Sequence, residues 1–150
     1  MTVMTGTTSG TGRIVVGVDG SEPAQRALRW ALRQAQLTGA RVQAVTAWEV
    51  PLYYGMSPTL DVDLSEQTRK ILHDAVAEAV EDTRVDVEIE QHAVHNDPAR
   101  TLINAAIGAE LLVVGTRGHG GFTGALMGSV AQKCTHFAAC PIVVVPSERK

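Results

Sequence analysis

The sequence predicts an open, doubly wound α/β domain, on three observations. Short β-branched runs alternate with helical patterns from residue 13 onward; three of those runs are apolar throughout, as in strands covered on both faces; and every link between successive strands carries a helix, which makes the pairing parallel. The order is β-α-β-α-β-α-β-α-β, with helices on both faces and a single domain over residues 13–150.

Residues 1–12, "MTVMTGTTSGTG", hold little apolar area to offset the entropy of ordering and are expected as a disordered leader. "RIVVGVD" (Arg13 to Asp19) is the first strand, closed by Gly20 and Ser21. In the helix that follows, Ala24, Ala27, Leu28, Ala31, Leu32 and Ala35 fall on one face, Pro23 suits a first turn and Gly39 a C-terminal cap. "RVQAVTAW" (Arg41 to Trp48) is the second strand, and residues 49–60, punctuated by Pro51, Gly55 and Pro58, form a long loop. From Leu60 to Asp82 the positions Leu64, Ile71, Leu72, Ala75, Val76, Ala79 and Val80 mark a second amphipathic helix. In "VDVEIEQHAV", Asp86, Glu88 and Glu90 alternate with Val85, Val87 and Ile89, the pattern of a half-exposed strand at a sheet edge. A helix opens near Pro98, "LLVVG" is the buried fourth strand, "SVAQKCTHFAA" the fourth helix and "CPIVVVP" the fifth strand.

Composition narrows the function. A net charge of -3 gives no basic field for nucleic acid, and 4% aromatic residues give no stacking platform for single strands. No apolar run is long enough to span a membrane and the start lacks the pattern of a signal peptide, so a cytoplasmic protein is expected. Cys134 and Cys140 lack the C-x-x-C spacing and are expected as small buried hydrophobes. His73, His92, His95 and His136 show no convincing zinc spacing, and Trp30 and Trp48 are assigned to packing or a partner surface.

The segment "GTRGHGGFTGALMGS", residues 115–129, carries the chemistry. Six glycines in fifteen positions follow a buried strand, at the strand end where open α/β sheets bind ligands. No Lys-Ser or Lys-Thr pair follows the glycines, so the segment is not a Walker A loop; Thr123 stands where a dinucleotide motif needs Gly or Ala. What remains is backbone that can approach a ligand closely, leading into a helix whose first N–H groups, at Ser129 and Val130, attract an anion.

The spacing Gly115, two residues, Gly118, nine residues, Gly128, Ser129 resembles the ATP-binding signature of the universal stress protein family. "IVVGVDGSEPAQRALRWAL" resembles that family's first strand and helix, and "CPIVVVP" its last strand. The resemblance implies a five-stranded parallel sheet ordered 3-2-1-4-5 and ATP as ligand, with or without Mg2+. It implies Asp19 at the ribose or at a metal near the phosphates, Gly17 beside it, and Ala47 at the adenine. Val114 and Gly115, with Thr116 next to them, would line the ribose and α-phosphate side; Gly118, Gly128, Ser129 and Val130 would hold the phosphates, bordered by Gly120 and Gly121. It further implies a homodimer through the C-terminal strand, residues 141–146. Where the family has Gly before "DPA" this chain has Asn96, which tolerates a left-handed backbone.

Competing readings stand at several positions. Asp19, followed by Gly20 and Ser21, suits a turn or a helix cap as well as a ligand contact. Arg117 and His119 suit phosphate contact or plain solvent exposure, and Tyr53 and Tyr54 suit the flank of a nucleotide pocket. No Ser-His-Asp order or carboxylate pair accompanies the glycines, so catalysis is not required. A nucleotide-tuned stress regulator leads; a slow ATP hydrolase and a nucleotide-free interaction module are the alternatives.

Overall fold

The computed structural model describes residues 12–49, 58–116 and 127–148, with the backbone alone for 58–63. Its elements are β1 (Arg13–Gly17), α1 (Glu22–Thr38), β2 (Arg41–Trp48), α2 (Pro58–Thr83), β3 (Ile89–His95), α3 (Pro98–Ala105), β4 (Leu111–Gly115), α4 (Ser129–Phe137) and β5 (Ile142–Val145). The strands form one parallel sheet in the order β3-β2-β1-β4-β5, the order that the family resemblance implies. The proposed leader and most of the 49–60 loop, with Tyr53 and Tyr54, lie outside the described residues.

Alternation along the strands divides the core into two layers. Ile14, Val16, Val42, Ala44 and Val113 point to the side covered by α1 and α2; Val15, Val45, Leu112 and Val114 point to the side covered by α3 and α4. All six apolar positions expected on the inner face of α1 are buried. Ser21 caps that helix by accepting the Ala24 N–H at 3.3 Å, and Gly39 closes it in the left-handed conformation, φ 81°, donating to the Ala35 carbonyl at 2.8 Å. Among the described residues no helix is long and apolar enough to cross a membrane.

Two boundaries depart from the sequence reading. α2 opens at Pro58 rather than Leu60, a residue type suited to a first helical turn. β3 opens at Ile89 rather than Val85. Its register sets Ile89 opposite Val42, and the Val42 N–H reaches back to the Glu88 carbonyl at 2.9 Å, so residues 85–87 fall beyond the start of β2 and have no strand to pair with. The Gln36 side chain on α1 instead accepts the Asp86 N–H at 2.7 Å. β3 does lie at a sheet edge, as its alternation suggests.

Asn96 is corrected in its mechanism. Among the described non-glycine residues the one with positive φ is Arg84, at 54°, so Asn96 needs no left-handed backbone. Its side-chain oxygen accepts the Asp97 N–H at 2.7 Å, and Asp97 in turn caps α3 by accepting the Arg100 N–H at 2.9 Å. The turn is held by a side-chain hydrogen bond where a glycine would have relied on conformational freedom.

Candidate functional site

The chain reverses winding direction between β1 and β4, which pair in register from Ile14 with Leu111 to Val16 with Val113. Past that register the two strands end on Gly17-Val18-Asp19 and on Gly115-Thr116, and β2 ends beside β1 on Ala47 and Trp48. The described strand-end residues of the sequence-derived site therefore stand at the neighbouring carboxyl ends of β1, β2 and β4, where open α/β sheets form a crevice. Arg117, Gly118, His119, Gly120 and Gly121 lie outside the described residues.

Asp19 turns out to be bonded within its own turn. Its Oδ1 accepts the Ser21 N–H at 2.9 Å and the Ser21 hydroxyl at 2.5 Å, while Gly20 between them takes φ 84°. The same hydroxyl oxygen caps α1. The capping reading therefore describes these bonds, which also fix the carboxylate at the carboxyl end of β1.

The two strand glycines face protein. A Cβ on Gly115 would come within 2.7 Å of the Pro23 carbonyl carbon and 2.9 Å of the Ala24 nitrogen, so the missing side chain seats the first turn of α1 against β4. A Cβ on Gly17 would stand 2.9 Å from the Leu102 Cδ1 on α3. Val114 is buried in the second core layer, so it offers the crevice backbone only. Sequence reasoning placed Ser21 in the turn beside Asp19 and Pro23 in the first helical turn, and missed Leu102 as a support. Ser21 was legible from its place two residues after Asp19; Leu102 lies far off in sequence and had no local signal.

The described residues on either side of the glycine segment meet at Thr116. The Thr116 N–H is held by the Val145 carbonyl at 2.9 Å, and the Thr116 carbonyl accepts the Gly128 N–H at 2.6 Å. Gly128 is the N-cap of α4, and among the described residues no side chain caps this helix, in contrast to Ser21 on α1 and Asp97 on α3. The first intrahelical bond runs from the Gln132 N–H to the Gly128 carbonyl at 3.0 Å, so the N–H groups of Ser129, Val130 and Ala131 precede it and have no intrahelical acceptor. They carry the positive end of the helix dipole.

Ala47 adds a different chemistry. The β1–β2 ladder ends where the Val18 N–H donates to the Val45 carbonyl at 2.8 Å. Ala47 has the same parity as Val45, so its N–H and C=O also turn to the β1 side, beyond the last rung and over the crevice. Adjacent donor and acceptor groups on one strand end suit the edge of a planar base.

No group of three or more His, Cys, Asp or Glu side chains that could hold a metal ion occurs among the described residues. Cys134 is wholly buried on α4, and burial, reinforced by the Asp97 charge, pushes its thiol up to about 11. Burial also raises Cys140, with Arg13 opposing. Because the folded value of Cys134 lies above that of a free thiol, roughly 8.5, its contribution to stability is complete below the free value and is lost as pH rises toward about 11. Native protein at neutral pH should therefore leave Cys134 unlabelled by a thiol-disulfide reagent, and full labelling should require denaturant. Rapid modification of Cys134 in folded protein would contradict this burial.

The comparisons with known proteins agree with this arrangement. The profile of the universal stress protein family matches residues 10–146. A universal stress protein of Mycolicibacterium smegmatis is 34% identical over 145 residues, covering 88% of this chain and 47% of its own length. The chain thus spans about half the length of that relative. A Thermus aquaticus protein, the universal stress protein in the QAH/OAS sulfhydrylase 3' region, is 37% identical over 135 residues, covering 88% of this chain and 96% of its own. Among solved structures, a universal stress protein in complex with cAMP superposes with a TM-score of 0.67 at 26% identity, covering 93% of this chain and all of that one. With its sheet order, its crevice at the reversal of winding and a family match over nearly its whole length, the chain belongs to the universal stress protein family.

Proposed function

We propose that this chain binds ATP in the β1–β4 crevice and acts as a stress-response regulator whose nucleotide occupancy tunes its conformation or its partner binding. The observation that carries the reading is the placement of three unlike groups at neighbouring strand ends: the N-terminus of α4, whose N-cap Gly128 has no side chain, the Asp19 carboxylate, and the outward backbone of Ala47. They match, in turn, phosphate, ribose and base.

The base should be adenine. The N–H and C=O of one residue supply a donor and an acceptor side by side, which fits adenine N1 and its N6 amino group. Guanine presents the opposite polarity at those positions. The structural relative bound to cAMP supports an adenine ligand for this family member as well. The phosphates would meet Gly128, Ser129 and Val130, with Gly118 and its neighbours assigned by the signature. Each charge–dipole contact is worth about 0.3–1 kcal/mol, so several N–H groups must act together. Mg2+ fits only as an ion carried by the nucleotide. Asp19 offers one carboxylate whose Oδ1 is already bonded to Ser21, and a hard cation of this kind takes its remaining ligands from phosphate and water. Binding to the folded state alone stabilises it by mass action, and unequal affinity for two conformations makes the site a switch.

The test is mass analysis of small molecules released from freshly purified protein, followed by titration with ATP. Gly128→Glu should abolish co-purified nucleotide and raise the Kd for ATP more than tenfold, because its carboxylate takes the anion position. The fold should survive, since a negative charge at a helix N-terminus stabilises the helix by roughly 0.3–1 kcal/mol. Release of the same nucleotide in the same amount from the variant would place the site elsewhere.

A homodimer through residues 141–146 belongs to the same proposal. β5 is an edge strand whose Ile142, Val143 and Val144 remain half-exposed, with exposed Pro141 and Pro146 at its ends. An apolar edge of that kind favours pairing with an identical strand across a two-fold axis. Sedimentation at micromolar concentration should give twice the 15.9 kDa chain mass; a monomer would remove this part of the proposal.

A further inference from the structure

At the carboxyl ends of β2 and β3, the rings of Trp48 and His95 lie stacked, with centroids 4.1 Å apart and planes 7° from parallel. They are the last residues of β2 and β3 and stand opposite each other in the register. The β1 ladder ends at Val45, so among the described residues Thr46 to Trp48 of β2 are paired only with Ala93 to His95. β3 is itself an edge strand. The segment carrying Ala47 is thus held from one side, by a strand with no outer neighbour, where terminal rungs are prone to fray.

The stack closes that end. Beyond it the Asn96 N–H donates to the Trp48 carbonyl at 3.1 Å, and the Asn96 side chain passes the connection to Asp97 and the cap of α3. By strand parity Trp48 shares the face of Val42 and Ala44, whereas the Ala47 side chain shares that of Val45. The rings therefore act on Ala47 through the backbone and from the far side of the sheet, without lining the crevice.

We propose that the Trp48–His95 stack is a positioning pair for base recognition: it holds the end of β2 so that Ala47 presents its N–H and C=O in a fixed geometry. This rests on the nucleotide reading given above. An aromatic stack of this kind is worth up to about tenfold in an equilibrium constant. Its loss should weaken contact with the base and leave contact with the phosphates intact.

The experiment displaces a ribose-labelled fluorescent ATP from the full chain with ATP, GTP or inorganic tripolyphosphate. His95→Ala and His95→Phe are compared with the unmodified protein, and a thermal melt of each confirms folding. His95→Ala should raise the Kd for ATP about tenfold, narrow the preference for ATP over GTP, and leave displacement by tripolyphosphate unchanged. His95→Phe, which keeps a planar ring, should restore both affinity and preference. The inference is overturned if His95→Ala binds ATP as the unmodified protein does, if ATP and tripolyphosphate weaken in parallel, or if His95→Phe does not rescue. Unmodified protein that binds no ATP overturns the nucleotide reading and this inference together; unmodified protein that binds ATP beside an indifferent His95→Ala overturns the inference alone.

Discussion

Gly115→Val should lower the unfolding free energy by about 3 kcal/mol, the upper end of the range for overpacking. The first atom added already meets the Pro23 carbonyl carbon at 2.7 Å and the Ala24 nitrogen at 2.9 Å, and both belong to backbone, which cannot swing aside as a side chain does. Relief requires the first turn of α1 to move off β4. Ser21 caps that turn and holds Asp19, so the carboxylate moves with it and ATP affinity should fall alongside stability. Urea denaturation at unchanged slope reads the first effect and titration the second. An unchanged midpoint would mean that the glycine is not what seats the helix.

Leu28→Ala should cost about 3 kcal/mol, within the 2–5 kcal/mol seen when a buried leucine leaves a cavity. Leu28 is fully buried on the inner face of α1, in the layer between the sheet and α2. The two substitutions strain the same helix in opposite senses, one by crowding and one by emptying. Leu28→Ala is expected to spare ATP affinity, because it leaves the Asp19–Ser21 turn in place. Their double variant should show less than additive loss if the cavity lets α1 shift to accommodate valine. Strict additivity would show that the two ends of the helix respond independently.

Much of the architecture was legible because its signals are local. The apolar positions of α1 repeat at helical spacing and all are buried; the alternation in "VDVEIEQHAV" marked an edge strand, and β3 is one. The start of β3 was not legible, because a strand exists only as far as its neighbour extends and Arg41 sets that limit. At Asn96, a local tolerance for left-handed backbone suggested how the turn forms, whereas the chain uses the side-chain oxygen.

For the site the division is similar. The spacing of Gly115, Gly128 and Ser129 suggests a cradle, and the position of Asp19 at the end of β1 its second wall, as proposed above. Which glycine does what could not be read from spacing, since a missing Cβ looks the same whether it makes room for a ligand or for a helix. Gly115 and Gly17 make room for α1 and for Leu102.

The sequence by itself determined the alternation of strands and helices, the faces those helices bury and the family, because periodicity, caps and motif spacing are properties of neighbours along the chain. The tertiary structure decided that Ala47 turns its backbone past the last rung of β1, that Thr116 gathers both ends of the glycine segment's frame, and that Trp48 meets His95. Each of these depends on the register between strands remote in sequence, which is set by packing of the whole sheet and is written in no single stretch of residues.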